Sequence, residues 1–541
     1  MKKLLLIITC SVSLLACRKL DQPITREFTE TAYWRDAQDA LDALTSCYEH
    51  FSKDDYYFGD EGLSDNAYVS GTGFLNVTAV ANGGYDPSNG RVTDTWGYYF
   101  TTIRRCNLLT DNIDKVPAMD EALKRRITAE ARFLRAYAYF QLTNWYGDVP
   151  FFTSVLPIEE SRSISRTGKS EVMQFIFSEL TAIRNDLPVN NYSGGDGQYA
   201  DKDKGRITRG AAIALSARIH LYNSEWQAAA DDCALLINNT TNGSYELMGD
   251  YASIFTVANE YNREVILDLQ YGGGKTNDKQ RSFMPQTIAQ LRSVLVPTQD
   301  LVDDYVMLNG KGIREAGSGY DENNPYQNRD PRFEATILHH GSTVTDFNGT
   351  VQTILTQPGS NPATNSVDDQ GASPTGYYFY KYYDRTATNY QSGLNLIMIR
   401  YADVLLMYAE AKNELGQMDA ATWNQTIRAL RIRAKFTDAG ATEFNAGWGQ
   451  ALLRTIIRRE RRAELAFEGL RIYDVRRWKI ADQVLTRPVR GIRVSSGAFN
   501  KDPNGYIIVE NRTFTNPKHY LWPVPTFESD QNKNLGQNQG W

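Results

Sequence analysis

Residues 130–152 read EARFLRAYAYFQLTNWYGDVPFF. Phe133, Leu134, Tyr137, Phe140 and Leu142 occupy more than one face at helical spacing, as expected of a helix packed on both sides within stacked pairs. Gly147 can end that helix, and Pro150 prevents its continuation. Glu130, Arg132 and Arg135 therefore read as anchors for turns and neighbouring carbonyls rather than as a catalytic group. Working outward, helical patterning is predicted at 35–50, 96–113, 121–146, 170–186, 208–222 and 225–238. It returns at 399–415, 420–434, 448–467 and 470–481. Several connections are short and marked by Gly, Pro or Asn, as at 147–150 (GDVP), 187–188 (LP) and 223–225 (NSE). Consecutive antiparallel helices with short turns predict an all-α solenoid of tetratricopeptide-like geometry. An unrelated helical bundle with a loop-rich insert is the alternative at this point.

Two stretches break the helical pattern. Residues 51–95 are polar and glycine-rich with little periodicity. The middle, about 242–392, holds short strand-like pieces (EVILDLQY, FEATILHH, TGYYFYKYY) among Asn-, Gly-, Ser- and Pro-rich loops. Both are expected to be loop-rich regions carried on the helical scaffold.

The chain opens MKKLLLIITCSVSLLAC. Lys2 and Lys3 precede an apolar run, the form of an export signal, and this segment is set aside from the fold. Leu14-Leu15-Ala16-Cys17 matches a bacterial lipobox, so Cys17 is expected to be acylated. The predicted organisation is a lipoprotein signal at 1–16, a lipidated tether at 17–34 and one domain from 35 to 541. A multiply acylated N-terminus anchors stably in a membrane, whereas one acyl chain does not.

The chain carries 58 Lys and Arg, two of them Lys2 and Lys3, against 64 Asp and Glu. Without its signal segment it is acidic, which argues against nucleic acid as a partner. Cys47, Cys106 and Cys233 are widely separated and read as buried apolar residues, not a disulfide lattice or thiolate metal site.

In RRERRAELAFEGLR, Glu460, Glu464 and Glu468 share one helix face. Arg461 and Arg471 stand three residues from Glu464 and Glu468, and Arg454, Arg458 and Arg462 form a parallel basic stripe. A charge-paired scaffold is predicted here. A glycosidase would need two carboxyls flanking an open sugar site across roughly 5–9.5 Å, which one regular helix seldom provides. Among His50, His220, His339, His340 and His519 there is no HExxH and no ligand cluster; His339 and His340 would point to opposite faces of a strand. No cofactor is expected, although a structural calcium ion in the Asp/Asn-rich loops stays open, without ligands that can be chosen.

Several stretches coincide with one family: YYFTTIRRCNLLTDNID (98–114), the opening segment, IRYADVLLMYAEAKNELG (399–416), IIRRERRAELAFEGLRIYDVRRW (456–478) and the terminal LWPVPTFESDQNKNLGQNQGW. In this order, with the lipobox, they resemble the SusD/RagB family of outer-membrane nutrient-binding lipoproteins across essentially the whole chain. The resemblance implies four tetratricopeptide-like helix pairs in a right-handed superhelical scaffold, packed against an irregular ligand-binding part. It also implies an extracellular, lipid-anchored position over a TonB-dependent β-barrel transporter of the SusC/RagA type. Such proteins capture oligosaccharides, less often peptides or other nutrients, without catalysis; a surface glycoside hydrolase is the remaining alternative. Sugar capture needs exposed aromatic faces with amides and charged groups beside them. The predicted platform is Trp96, Tyr320 and Tyr326, with Asp65, Asn66 and Arg329 as polar help, drawn from the regions at about 51–96 and 242–392.

Overall fold

A computed structural model describes residues 33–71, 77–189, 204–238, 240–272, 274–360, 365–369 and 371–541. The export signal, Cys17 and the tether up to residue 32 lie outside the described residues. The first helix, α1 (Ala37–Glu49), begins where Asp36 accepts hydrogen bonds from the N–H groups of Gln38 and Asp39, meeting donors that a helix start leaves unpaired. The chain continues through α2 (Asp54–Gly62), α3 (Gly90–Asn112), α4 (Glu121–Tyr146), α5 (Lys169–Ile183), α6 (Arg209–Tyr222) and α7 (Trp226–Ile237). After the middle segment come α8 (Tyr401–Glu414), α9 (420–433, with a π turn at Asn424–Arg428), α10 (Gln450–Glu464) and α11 (Arg471–Arg477).

Helices pair as α1 with α3, α4 with α5, α6 with α7 and α8 with α9. Neighbouring pairs meet through α3 on α4 and α7 on α8, and α10 closes on α8. This is the expected all-α arrangement of four helix pairs. The strands form two-stranded antiparallel ladders: β1 (Ala67–Val69) with β3 (Leu295–Pro297), β2 (Val265–Leu269) with β4 (Leu396–Arg400), and β5 (Val489–Arg493) with β6 (Tyr506–Glu510). Among the described residues, no helix is long and apolar enough to cross a membrane.

The quoted stretch is the centre of the scaffold. In α4, Phe133, Leu134, Tyr137, Phe140 and Leu142 are all buried. Glu130 is buried too; it accepts from the Tyr48 hydroxyl at 2.7 Å and Arg126 at 2.9 Å. Arg132 and Arg135 converge on Glu179 of α5 at 2.6 and 2.7 Å, and Arg135 also donates to the Thr153 carbonyl at 3.0 Å. Gly147 takes φ +75°, and a Cβ there would stand 2.9 Å from Leu521 Cδ1. The helix therefore stops where only glycine fits comfortably.

The expectation that 51–96 forms ligand loops is corrected at α2, and residues 72–76 of that stretch lie outside the described residues. Tyr56, Tyr57 and Phe58 of α2 are buried, and so are two of its four acidic residues, Asp60 and Glu61. Asp60 pairs with Arg91 and accepts from the Tyr473 hydroxyl at 2.8 Å. Glu61 accepts from Asn66 at 2.7 Å and from the N–H groups of Phe467 and Gly469 at 2.9 and 3.1 Å. Charges that read as a polar loop are instead satisfied inside the core.

The three glutamates of α10 and its C-terminal turn are fully engaged. Glu464 meets Arg400 at 2.6 Å and Arg332 at 2.8 Å, and pairs with Arg433. Glu460 meets Arg332 at 2.6 Å and Arg431 at 2.7 Å. Glu468 meets Lys381 at 2.6 Å and Arg400 at 2.7 Å. The scaffold reading holds, but the partners differ from the sequence neighbours expected. Arg461 turns to the other side of α10, onto Asp403 of α8 and Asp474 of α11. Burial alone would raise the Glu464 carboxyl; the guanidiniums of Arg433, Arg400 and Arg332 outweigh it and hold it well below the usual carboxylate range.

Candidate ligand-binding site

An open cavity of about 970 Å³ lies where three segments of the irregular part meet the hairpin β5–β6, a volume suited to a small organic ligand. The loop at 320–327 contributes Tyr320, Asn323, Asn324 and Tyr326. The turn after the short strand Ile337–Leu338 contributes His339 and His340, and the hairpin contributes Arg493, Asn504 and Tyr506. Gln299 and Tyr377 line it as well: the Tyr377 hydroxyl donates to Gln299 Oε1 at 2.6 Å.

The loop is held from beneath by Arg329. Its guanidinium donates to the carbonyls of Pro325 at 2.7 Å, Tyr305 at 2.7 Å and Val302 at 2.5 Å, and lies 5.6 Å from the centre of the Tyr320 ring. Arg329 is buried, so it positions the loop rather than meeting a ligand. Tyr326 and Tyr320 are both half-buried. The His339 ring stacks on Tyr326 at 3.8 Å, and His339 is fixed by Glu334 at 2.8 Å. Burial pushes the Tyr326 hydroxyl up to about 12, so it remains protonated and can donate.

The structure thus brings Tyr320 and Tyr326 to one cavity with Arg329 behind them. Trp96 is not part of it. That ring is 3 % exposed, packs edge-on against Tyr146 at 4.9 Å, and borders a separate apolar cavity of about 560 Å³ beside Phe100 and Phe527. Asp65 is buried between Arg462 at 3.0 Å and Arg471 at 2.8 Å, and Asn66 bridges Glu61 and Arg462. All three were expected on the platform; their side chains are scaffold because the segment that carries them folds into the core. His339 and His340, expected on opposite faces of a strand, line the same cavity because the strand ends at Leu338. The hairpin residues Arg493, Asn504 and Tyr506 were missed. Eleven residues separate RGIRV (490–494) from YIIVE (506–510), so Asn504-Gly505 does not make the two-residue turn that marks a hairpin in sequence. Among the described residues, no group of three or more His, Cys, Asp or Glu is arranged to hold a metal ion.

Comparison with known proteins places this geometry. Residues 263–541 match the profile described as the SusD family, and residues 27–221 match one described as starch-binding, associating with outer membrane. A SusD-like protein, P25, of Formosa agariphila is 30% identical over 402 residues, covering 72% of this chain and 70% of its own. Among solved structures, a SusD-like carbohydrate binding protein from Bacteroides fragilis superposes with a TM-score of 0.82 at 27% identity, over 93% of this chain and 100% of the other. A laminarin-binding SusD-like protein superposes with a TM-score of 0.68 at 25% identity, over 94% of this chain and all of that one. The helix pairs, the irregular ligand part and matches that together run almost the length of the molecule have one explanation: the chain belongs to the SusD family.

Proposed function

We propose that this protein captures oligosaccharides at the cell surface, without catalysis, and delivers them to a TonB-dependent SusC/RagA-like β-barrel transporter in the outer membrane, to which Cys17 tethers it by acyl chains. The observation that carries the reading is the cavity itself. Tyr320, Tyr326 and Tyr506 are gathered with Asn323, Asn324, Asn504 and Gln357. Ring surfaces meet the C–H-rich faces of a sugar, while amides bond its hydroxyls. Relatives named for carbohydrate, laminarin and starch binding support the same class of ligand. The carboxylates that would suggest a hydrolase, Glu460, Glu464 and Glu468, are instead buried and ion-paired.

The test is calorimetric binding to oligosaccharides first identified on a mixed glycan and peptide array. Tyr320→Ala and Tyr326→Ala should each weaken binding about tenfold, or about 1.4 kcal/mol, in protein that circular dichroism shows to be folded. Unchanged affinity in both variants would remove the platform, and a peptide-only array would redirect the reading to peptides. Shortening of the bound oligosaccharide on incubation would contradict capture without catalysis. Co-purification of a large barrel from detergent-solubilised outer membranes is the expected sign of the transporter partner.

A further inference from the structure

The charges around the cavity are already matched to one another. Among the described residues that line it, the ionisable groups are Glu322, His339, His340 and Arg493, besides the tyrosines. Arg493 faces Glu322 across 3.2 Å, and its Nε donates to the Asn504 carbonyl at 3.0 Å. Two other guanidiniums lie nearby: Arg329 is directed away onto three backbone carbonyls, and Arg490, 5.4 Å from the centre of the Tyr506 ring, is paired with Asp300 and Asp303. His339 uses both ring nitrogens, one with Glu334 and one with the His340 carbonyl at 2.8 Å.

His340 differs from its neighbour. Its Nδ1 faces two backbone N–H groups, those of Thr356 at 3.0 Å and Gln357 at 3.2 Å. A nitrogen that accepts two hydrogen bonds cannot carry the proton, so the ring is held as the neutral Nε2–H tautomer. Burial, with His339 adding to it, lowers its pKa in the same sense. Among the described residues no hydrogen bond engages Nε2, and the ring lines the cavity.

Resting on the capture reading above, we propose that the ligand is an uncharged glycan, and that His340 Nε2–H donates to one of its hydroxyl or ring oxygens. A uronate or a sulfated sugar would find no free cation. It would compete with Glu322 for Arg493 and would meet that carboxylate at close range, an unfavourable juxtaposition of like charges. A neutral sugar asks only for donors, acceptors and ring faces, which the cavity supplies.

The experiment uses an array of neutral glucans, mannans, xylans and galactans beside oligogalacturonates, alginate fragments and sulfated galactans, probed at low salt. The wild type should retain neutral glycans only. Glu322→Gln should raise the ratio of oligogalacturonate to neutral-glycan affinity at least fivefold, because it frees Arg493. His340→Ala should weaken neutral-glycan binding about tenfold, the range of one hydrogen bond lost to a bound partner, and His340→Gln, which keeps an N–H donor, should recover most of it. Wild-type binding to uronates or sulfated sugars as tight as to neutral ones, or no change of ratio in Glu322→Gln, overturns the uncharged class while leaving glycan capture intact. Full neutral-glycan affinity in His340→Ala overturns its role as donor. Binding to no glycan at all overturns the capture reading and this inference together.

Discussion

Arg329 shows how a residue of the right type near the ligand can act without touching it. Its planar fork of donors meets three carbonyls from two separate segments, a geometry that the single ammonium of lysine does not reproduce. Arg329→Lys should therefore leave at least one buried carbonyl unpaired, costing about 1–3 kcal/mol, and should loosen the loop that presents Tyr320. The expected result is a lower denaturant midpoint together with weaker glycan binding. Tyr320→Ala, by contrast, should weaken binding with little change in the midpoint. Equal stability in the wild type and Arg329→Lys would remove the positioning role. In the sequence, Arg329 is an arginine in a polar loop; only the carbonyls above it distinguish support from contact.

At the scale of elements, the α4 bounds predicted from the sequence and those found agree at 121–146, because apolar spacing and the Gly147 stop are both local signals. α2 was not legible. DDYYFGDEG carries two glycines and four acidic residues, and its burial depends on Arg91, Tyr473 and the backbone at 467–469, most of them some four hundred residues away. The same distance hid the fate of Asp65 and Asn66. Strand β2 lies between these cases. Its apolar run is legible, but Asp268, next to its last residue, is buried, accepting from Gln270 and from Asn395, the latter at 3.1 Å. Burial pushes that carboxyl up to about 7, with Glu260 adding to the effect. Since the folded-state pKa is raised above the unfolded value of about 4, the stability it contributes is complete below pH about 4 and is lost as pH rises through about 7. Asp268→Asn has no such titration. The melting temperature of the wild type relative to that variant should fall between pH 5 and pH 8, and a constant difference would show that Asp268 titrates normally.

For the whole molecule, the buried ion pairs do what the helical repeats alone do not. Arg332 and Glu264 come from the irregular part, Arg400 from β4, Arg433 from the end of α9 and Glu464 from α10. Each charge is satisfied only when scaffold and ligand-binding part are assembled together, so neither is expected to melt alone. A buried pair contributes little net stability over an apolar replacement, but breaking one leaves an uncompensated charge inside the protein, at about 3–5 kcal/mol. Glu464→Gln removes the one carboxylate that Arg400, Arg433 and Arg332 all share, leaving them their other partners Glu264, Glu468, Glu460 and Asp330 and one buried negative charge fewer. It should lower the midpoint of a single unfolding transition by an amount in that range, with the slope unchanged. The same midpoint should be read by tryptophan fluorescence, from rings such as Trp145 in the scaffold, and by loss of glycan binding, which reports on the cavity. If the variant instead showed two separated transitions, with binding lost well before the scaffold unfolded, the ion pairs would be local ties and not the coupling between the two parts.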